Sequence, residues 1–259
     1  MYKYKSMALS QNFFRDEGLV NRLIVAAKIK PGDTVLDIGA GYGIISAILE
    51  AAGAKVLAVE IDPLLVKHLK WRFANNINVK IYNLDFNKFS LPKYPYKVFT
   101  NLPFSRTSEF VTKLLFAKSS PEEAHLVVQK EAAQKFSGTP RETQFSVLLK
   151  PFFYFEIIYN FKKSDFIPQP SVETVLLKIT KRPTPLISQP EKMSYEDFVR
   201  YAFNTWKKDL KVGLKKVISY RAWHRLAKDN KFSLHAKPTD LTFDQWLKIY
   251  KFISLKKLF

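Results

Sequence analysis

The sequence predicts an α/β fold, in which a mostly parallel, Rossmann-like sheet with helices on both faces is followed by a small all-α C-terminal domain. Short apolar runs of strand length alternate with helical patterns up to residue 180, which is typical of βαβ units. The segment KRPTPLISQP at residues 181–190 contains three prolines and predicts a linker. The pattern after it is helical. We therefore expect one domain at residues 1–180 and a second, basic one at 181–259.

The elements follow from apolar runs and their periods. DTVLDIGA at residues 33–40 and KVLAVEI at 55–61 predict buried strands, and the apolar-periodic segment 44–52 between them predicts a helix. Further strands are predicted at 79–82, 96–100, 125–129 and 175–179, with helices at 64–74, 108–117 and 143–149. In the C-terminal part, helices are predicted at 195–206, 210–219, 222–228 and 243–253, the last capped by Thr242.

Composition narrows the function classes. The 259 residues are 47% hydrophobic, which is enough for a substantial core. The sequence has no uninterrupted apolar run of about 18 residues and no secretory signal pattern at its N-terminus, so we expect a cytoplasmic monomer with no membrane contact. It has no cysteine, and its four histidines lack metal-ligand spacing. A metal enzyme is therefore not expected.

The net charge points to a polyanionic partner. The chain carries 42 basic and 23 acidic residues, a net charge of +19, and such a field concentrates nucleic acid. Residues 181–259 hold 18 of the basic and 7 of the acidic residues, so the C-terminal domain is the more basic part. The structural alternative is a lysine-rich surface that serves only solubility.

A glycine-rich loop follows the first strand. Closely spaced glycines in Asp37-Ile38-Gly39-Ala40-Gly41-Tyr42-Gly43 let the backbone turn sharply and approach a ligand. The GxGxG spacing is one residue shorter than the dinucleotide fingerprint, and Asp37 would oppose a phosphate but suit an ammonium group. The loop therefore favours S-adenosylmethionine over NAD.

Two carboxylates follow the next strands in register. Glu60 ends the second strand, where a carboxylate can accept hydrogen bonds from ribose hydroxyls, and Asp85 follows the third, where it could bind an adenine amino group. Either one alone could be an ordinary solvated loop carboxylate. Three features in consecutive βα units make a cofactor site the better interpretation.

The motif Asn101-Leu102-Pro103-Phe104 follows the fourth strand. This motif suits transfer of a methyl group to the N6 amine of adenine. That amine is a poor nucleophile, because its lone pair is delocalised into the ring. The Asn101 carboxamide oxygen and the Leu102 carbonyl could accept its hydrogens and hold the nitrogen pyramidal. Pro103 would fix the loop, and Phe104 would offer a stacking face to an extruded base. A merely structural turn is the alternative.

With these motifs in order, the chain resembles the rRNA adenine N6-methyltransferases of the Erm/KsgA superfamily over nearly its whole length. The resemblance rests on Ser10-Gln11-Asn12-Phe13-Phe14, the glycine loop, Glu60, Asp85, NLPF, QKEAAQKF at 129–136 and FIPQPSVETVLLKI at 166–179. It implies S-adenosylmethionine contacts at Asn12, Phe14, Gly39, Glu60, Asp85 and Asn101. It also implies that Phe104 and Phe166 bracket the target adenine. Phe14 stands where leucine is commoner in the family, and Phe104 where many members have tyrosine.

The C-terminal segment favours one branch of the superfamily. KPTDLTFDQWL at residues 237–247 looks like the Erm C-terminal signature, and residues 152–160 followed by KKSDFIPQP are also Erm-like. This resemblance implies an adenine of 23S rRNA, modified before ribosome assembly is complete, and resistance to macrolide, lincosamide and streptogramin B antibiotics. Dimethylation of two adjacent adenines in small-subunit rRNA, as in the KsgA branch, stays open.

Basic residues are candidates for phosphate contacts, which supply affinity without sequence information. Any one of them could equally belong to a solvated helix face. Trp206 and Trp223 lie in helical patterns and are expected in the core. The candidates are Lys3, Lys5, Arg15, Arg106, Lys135, Arg141, Lys207, Lys208, Lys211, Lys215 and Lys216.

Two other classes of function remain at this point. One is an RNA-binding or transcription factor on the same fold, which the intact NLPF, Glu60 and Asp85 argue against. The other is a nicotinamide-dependent dehydrogenase, which the GxGxG spacing and the absence of a catalytic His or Tyr-Lys pair disfavour.

Overall fold

The computed structural model describes residues 12–255, and their contacts divide them into two compact units. The first unit holds residues 12–133 and Glu156–Lys181, and the second holds Gln134–Phe155 and residues 182–255. This grouping differs from the expected division at residue 180 in one segment, Gln134–Phe155, which groups with the C-terminal residues. Lys3, Lys5, Ser10 and Gln11 lie outside the described residues.

The secondary structure contains every strand predicted from the sequence, together with strands and helices that the sequence analysis did not predict. The strands are β1 (Phe13–Phe14), β2 (Thr34–Ile38), β3 (Lys55–Glu60), β4 (Val79–Asn83), β5 (Lys97–Asn101), β6 (Glu123–Gln129), β7 (Phe153–Asn160), β8 (Phe166–Ile167) and β9 (Thr174–Lys181). The helices are α1 (Glu17–Ala26), α2 (Ile44–Ala51), α3 (Pro63–Arg72), α4 (Thr107–Phe116), α5 (Lys130–Ser137), α6 (Gln144–Leu149), α7 (Lys192–Thr205), α8 (Leu210–Gly213), α9 (Tyr220–Asp229) and α10 (Phe243–Leu255).

Seven strands form the central sheet in the order β4-β3-β2-β5-β6-β9-β7, and β1 pairs with β8. The pairs β3–β4, β2–β3, β2–β5 and β5–β6 are parallel, whereas β6–β9 is antiparallel. The central strands are apolar along their length because helices cover both faces of the sheet; Val35 and Leu36 are fully buried. This confirms the predicted α/β fold with a mostly parallel sheet. The strand order reverses between β2 and β5, and parallel sheets of this kind bind ligands at such a switch point.

The second unit is helical, as predicted. Its core contains the fully buried rings of Tyr195, Phe198 and Trp246, and the Tyr195 hydroxyl donates to the Val147 carbonyl at 2.6 Å. Thr242 caps α10 as expected: its Oγ1 accepts from the Gln245 N–H, and the Gln245 side chain accepts from the Thr242 N–H.

Two expectations for this unit are wrong. The helix predicted over 210–219 ends at Gly213, because glycine weakens a helix and this one packs closely on the Trp206 backbone, 3.0 Å from where a Cβ would lie. Trp223 is buried as expected, but Trp206 is 36% exposed at the end of α7. Among the described residues, none of the helices is long and apolar enough to cross a membrane.

Candidate active site

The predicted site residues of the first unit meet at the carboxyl edge of the sheet. Gly39 follows β2, Glu60 ends β3, Asp85 lies two residues after β4, and Asn101 ends β5. Three small cavities open here, and Gly39 lines all of them. The first is walled mainly by apolar side chains with Glu60 and Arg106, and the second by Asn12, Phe13 and the start of the NLPF motif.

The glycine loop requires glycine at two points. Gly41 and Gly43 have φ values of +58° and +79°, a region that side chains with a Cβ rarely adopt. A Cβ on Gly41 would lie 2.7 Å from the Phe13 ring, and one on Gly43 would lie 2.7 Å from Leu69. The loop is therefore clamped between β1 and α3.

Glu60 stabilises this loop by accepting a hydrogen bond from its backbone. Its buried carboxylate accepts N–H bonds from Gly41, Ile61 and Asp62, each at 2.9 Å. Burial raises the pKa of Glu60 above its ordinary value, and these donors oppose the rise. Because a carboxylate has about four acceptor positions, one remains for a ligand hydroxyl, and a second hydroxyl would have to displace one of these three N–H donors.

Asp37 lies beneath the loop and does not line any of the three cavities. It is 1% exposed, and its Oδ2 accepts from the Ser46 hydroxyl at 2.7 Å. Burial raises the pKa of Asp37 to about 7, and the charge of Glu60 adds to the rise. Asp37 could therefore favour a ligand ammonium only through its charge beneath the loop and not by direct contact.

Asp85 forms an ion pair with Arg106, which the sequence analysis instead predicts to contact phosphate. Its Oδ2 lies 2.8 Å from Nη1 of Arg106, whose Nε lies 2.9 Å from Glu109. The Arg106 guanidinium holds the pKa of Asp85 below its ordinary value and lies 4.6 Å from the centre of the Phe110 ring. The charge of Arg106, a predicted phosphate contact, is thus already paired with two carboxylates.

The Asn101 side chain has one bonded and one free end. Its Nδ2 donates to the Asn12 carbonyl, and its Oδ1 is buried with no partner among the described residues. Because only the amide nitrogen can donate to a carbonyl, this bond fixes which end is the oxygen. Unpaired buried acceptors are rare and costly, so the free oxygen is suited to a ligand N–H.

The rest of the motif shapes the second cavity. The Leu102 N–H donates to the Val127 carbonyl at 3.2 Å, and its side chain is buried. Pro103 has φ −60° and starts the short 3₁₀ turn Phe104–Arg106. Phe104 is half-buried, so part of its ring remains accessible.

The aromatic residues of β1 and β8 differ from expectation. Phe166 is 1% exposed, packs against Phe14 at 5.0 Å between ring centres, and lines none of the three cavities. The expectation that it stacks on a base does not fit this geometry. Phe13 lines two of the three cavities instead, one of them together with Phe14, and its ring contacts Tyr42. The sequence analysis predicted neither the burial of Phe166 nor the cavity-lining position of Phe13. Alternation along a strand implies only that Phe13 and Phe14 face opposite ways.

The basic candidates of the second unit lie on its surface, where six of them are exposed and Lys211 is half-buried. Arg141 lies 3.9 Å from Asp240, and the Lys211 ammonium lies 5.5 Å from the Tyr220 ring. Among residues 12–255 no cluster of three metal-ligating side chains occurs. The exposed residues are Lys135, Arg141, Lys207, Lys208, Lys215 and Lys216.

Known proteins are similar to this chain in sequence. A family model for ribosomal RNA adenine dimethylase matches residues 3–255. An rRNA adenine N-6-methyltransferase of Bacteroides fragilis is 31% identical over 241 residues, which cover 93% of this chain and 90% of that protein. A probable ribosomal RNA small subunit methyltransferase A of Methanosarcina acetivorans is 35% identical over 213 residues, which cover 81% of this chain and 78% of that protein.

The solved structures agree with these sequence matches. The crystal structure of the 23S rRNA methyltransferase ErmE superposes with a TM-score of 0.85 and 26% identity, over 94% of this chain and 100% of that chain. The chain is therefore an enzyme that belongs to the ribosomal RNA adenine dimethylase family of rRNA adenine methyltransferases.

Proposed function

We propose that this enzyme transfers a methyl group from S-adenosylmethionine to N6 of one adenine in 23S rRNA. The observation that carries the chemistry is the buried, unpartnered Oδ1 of Asn101, held in place by the bond from its Nδ2 to Asn12. An N–H from a ligand would satisfy this acceptor, and the exocyclic amine of adenine supplies two.

The chain's own groups would prepare this amine for attack. Asn101 Oδ1 and the Leu102 carbonyl accept the two amino hydrogens and withdraw the nitrogen lone pair from the ring. S-adenosylmethionine, when bound, supplies a methyl group on a positively charged sulfur. The amine can lose its proton after transfer, so hydrogen-bond acceptors suffice and a strong base is not needed.

The side chains that line the cavities support such a cofactor. Apolar side chains, among them Ile61 and Phe86, line the first cavity beside Glu60, which suits an adenosine moiety. Glu60 would accept a ribose hydroxyl at its remaining acceptor position. Asp85, ionised beside Arg106, would accept the adenine amino group. Asn12, Phe14, Gly39 and Asn101 would complete the contacts.

Phe104 would hold the target base by stacking. Its ring is accessible beside Asn101 at the end of β5, and aromatic stacking stabilises extruded bases. Phe166 would act indirectly, because its ring supports Phe14 on the paired strand. Exposed lysines and arginines of the second unit would contact phosphates.

The choice of 23S rRNA is supported by the ErmE match, which spans 94% of this chain. The Methanosarcina relative, named for the small subunit, favours the second candidate, methylation of small-subunit rRNA. On the 23S proposal the target is modified in the cytoplasm before ribosome assembly is complete. The added methyl groups would obstruct macrolide, lincosamide and streptogramin B binding.

Methylation of purified rRNA tests the substrate. The protein is incubated with methyl-labelled S-adenosylmethionine and either protein-free 23S rRNA or small-subunit rRNA. We expect label in 23S rRNA at one adenine. Label confined to small-subunit rRNA would replace the 23S proposal with the second candidate.

Arg106→Ala is expected to weaken S-adenosylmethionine binding severalfold, because Asp85 loses the cation that holds its carboxylate in place. The pair is about one-quarter exposed, so solvent screening limits the effect to about 1 kcal/mol. Calorimetric titration with S-adenosylmethionine measures it.

The same variant separates this role from phosphate contact. If Arg106 contacts a phosphate, Arg106→Ala should lower the salt dependence of RNA binding, by about 0.7 in the log–log slope for a single strand. We expect an unchanged slope. Unchanged cofactor affinity with a lower slope would restore the phosphate contact predicted from the sequence.

A further inference from the structure

Trp71 on α3 is 77% exposed, although tryptophan is a large aromatic side chain that is highly buried on average. It lies on one face of the helix with Leu64, which is 78% exposed, because residues seven apart on a helix share a face. Large exposed apolar groups of this kind are typical of interaction sites.

A run of aromatic rings connects Trp71 to the active site. The ring centres of Trp71 and His68 are 6.0 Å apart, and those of His68 and Tyr42 are 5.6 Å apart. Tyr42 is 5.0 Å from Phe13, which lines the same cavity as Asn101. The exposed tryptophan is thus continuous with the reaction centre through three ring contacts.

The same helix is basic. α3 contains Lys67, Lys70 and Arg72 and no acidic residue. Arg72 lies 3.6 Å from Glu17 and donates to the Tyr42 carbonyl at 3.1 Å, so it fastens α3 to the glycine loop. Lys67 and Lys70 are exposed, and no ion pair of either occurs within the described part of the chain. They leave a cationic surface around Trp71.

We propose that Lys67, Lys70 and Trp71, the α3 platform, bind single-stranded RNA next to the target adenine. One unstacked base stacks on Trp71, and the adjoining phosphates lie against the two ammonium groups. Charge complementarity favours RNA over a protein surface with few acidic residues. It also favours RNA over a second copy of this chain, which itself carries a net charge of +19. The assignment of the α3 platform depends on the proposed function only because it takes the substrate to be RNA.

The test is binding and methylation of protein-free 23S rRNA by the full chain. Trp71→Ala should weaken RNA binding about 5- to 150-fold, the range of base stacking, and raise KM for RNA. Trp71→Phe should restore most of the affinity. Affinity for S-adenosylmethionine should stay unchanged in both, which a general loss of folding would not allow. Lys67→Gln and Lys70→Gln should each lower the salt slope by about 0.7.

The matched control is Tyr94→Ala. Tyr94 is also an exposed aromatic residue beside a lysine, at 55% exposure, but it precedes β5 and so lies at the amino edge of the sheet, opposite the active site. We expect parental RNA affinity from this variant. An equal loss in Tyr94→Ala and Trp71→Ala would overturn the platform, because the effect would then not be specific to α3.

Two other results would also overturn it. One is parental RNA affinity in Trp71→Ala. The other is self-association of the parent, measured by sedimentation, that Trp71→Ala abolishes without changing RNA affinity. Failure of the proposed function is distinguishable, because the unaltered protein would then bind 23S rRNA without methylating it, whatever the residue at position 71.

Discussion

Asn101→Ala is expected to lower kcat by about 10²- to 10³-fold, the cost of removing one aligned electrostatic group from a reaction centre. The variant lacks the only acceptor that the structure leaves buried and unpaired at the end of β5 within the described residues. RNA affinity should be nearly intact, because phosphate contacts and stacking remain. Single-turnover methylation of rRNA at saturating RNA and cofactor measures this effect.

Asn160→Ala is the matched control. Asn160 also ends a strand of the same sheet, but it is exposed at the end of the edge strand β7. It should keep parental kcat. Full activity in Asn101→Ala would mean that the amine is aligned by other groups, and equal losses in both variants would indicate a structural effect.

Phe104→Ala is expected to lower kcat/KM for RNA. The loss of transition-state stabilisation should be about 1–3 kcal/mol, the range for base–aromatic stacking. Phe104 lies in the turn after Pro103, half-buried, and it makes no ring contact with another described residue. Its removal should therefore cost little stability. Thermal unfolding alongside steady-state kinetics separates the two effects.

Two substitutions define the role of the Phe104 ring. Phe104→Tyr keeps the flat face and should keep activity, whereas Phe104→Leu keeps apolar volume without an aromatic face and should resemble the alanine variant. A leucine variant as active as the parent would show that the base is held by apolar contact alone. An active alanine variant would show that Phe104 does not hold the base.

Much of the fold is predictable because buried parallel strands are short apolar runs. DTVLDIGA and KVLAVEI therefore locate β2 and β3 to within two residues. The strand order then brings Gly39, Glu60 and Asn101 to one edge, since the carboxyl ends of parallel strands meet there. Each of these positions follows from local pattern and topology together.

The remaining features depend on contacts between distant residues. Asn101 bonds Asn12 across 89 positions, and Arg106 pairs with Asp85 across 21, and no local pattern signals either. The two-residue pair β1–β8 is too short for a periodic signal, so the burial of Phe166 was not predicted. Gly213 ends a helix through a close backbone contact that its sequence neighbours do not indicate.

The C-terminal signature that favours 23S rRNA has a structural role. Thr242 and Gln245 cap α10, and Trp246 is fully buried with its indole N–H donated to the Pro238 carbonyl at 3.2 Å. The signature thus builds the core of the second unit. It supports kinship with Erm enzymes and contributes no exposed aromatic contact for RNA at Trp246.

Nucleoside analysis of the methylated rRNA tests the central claim most directly. After reaction with S-adenosylmethionine, the RNA is digested and its nucleosides are separated and identified by mass spectrometry. If Asn101 aligns an exocyclic amine, all transferred methyl groups will be found on N6 of adenosine, and Asn101→Ala will yield almost none. Methyl groups on a ribose 2′-oxygen, on a ring nitrogen or on another base would contradict the account.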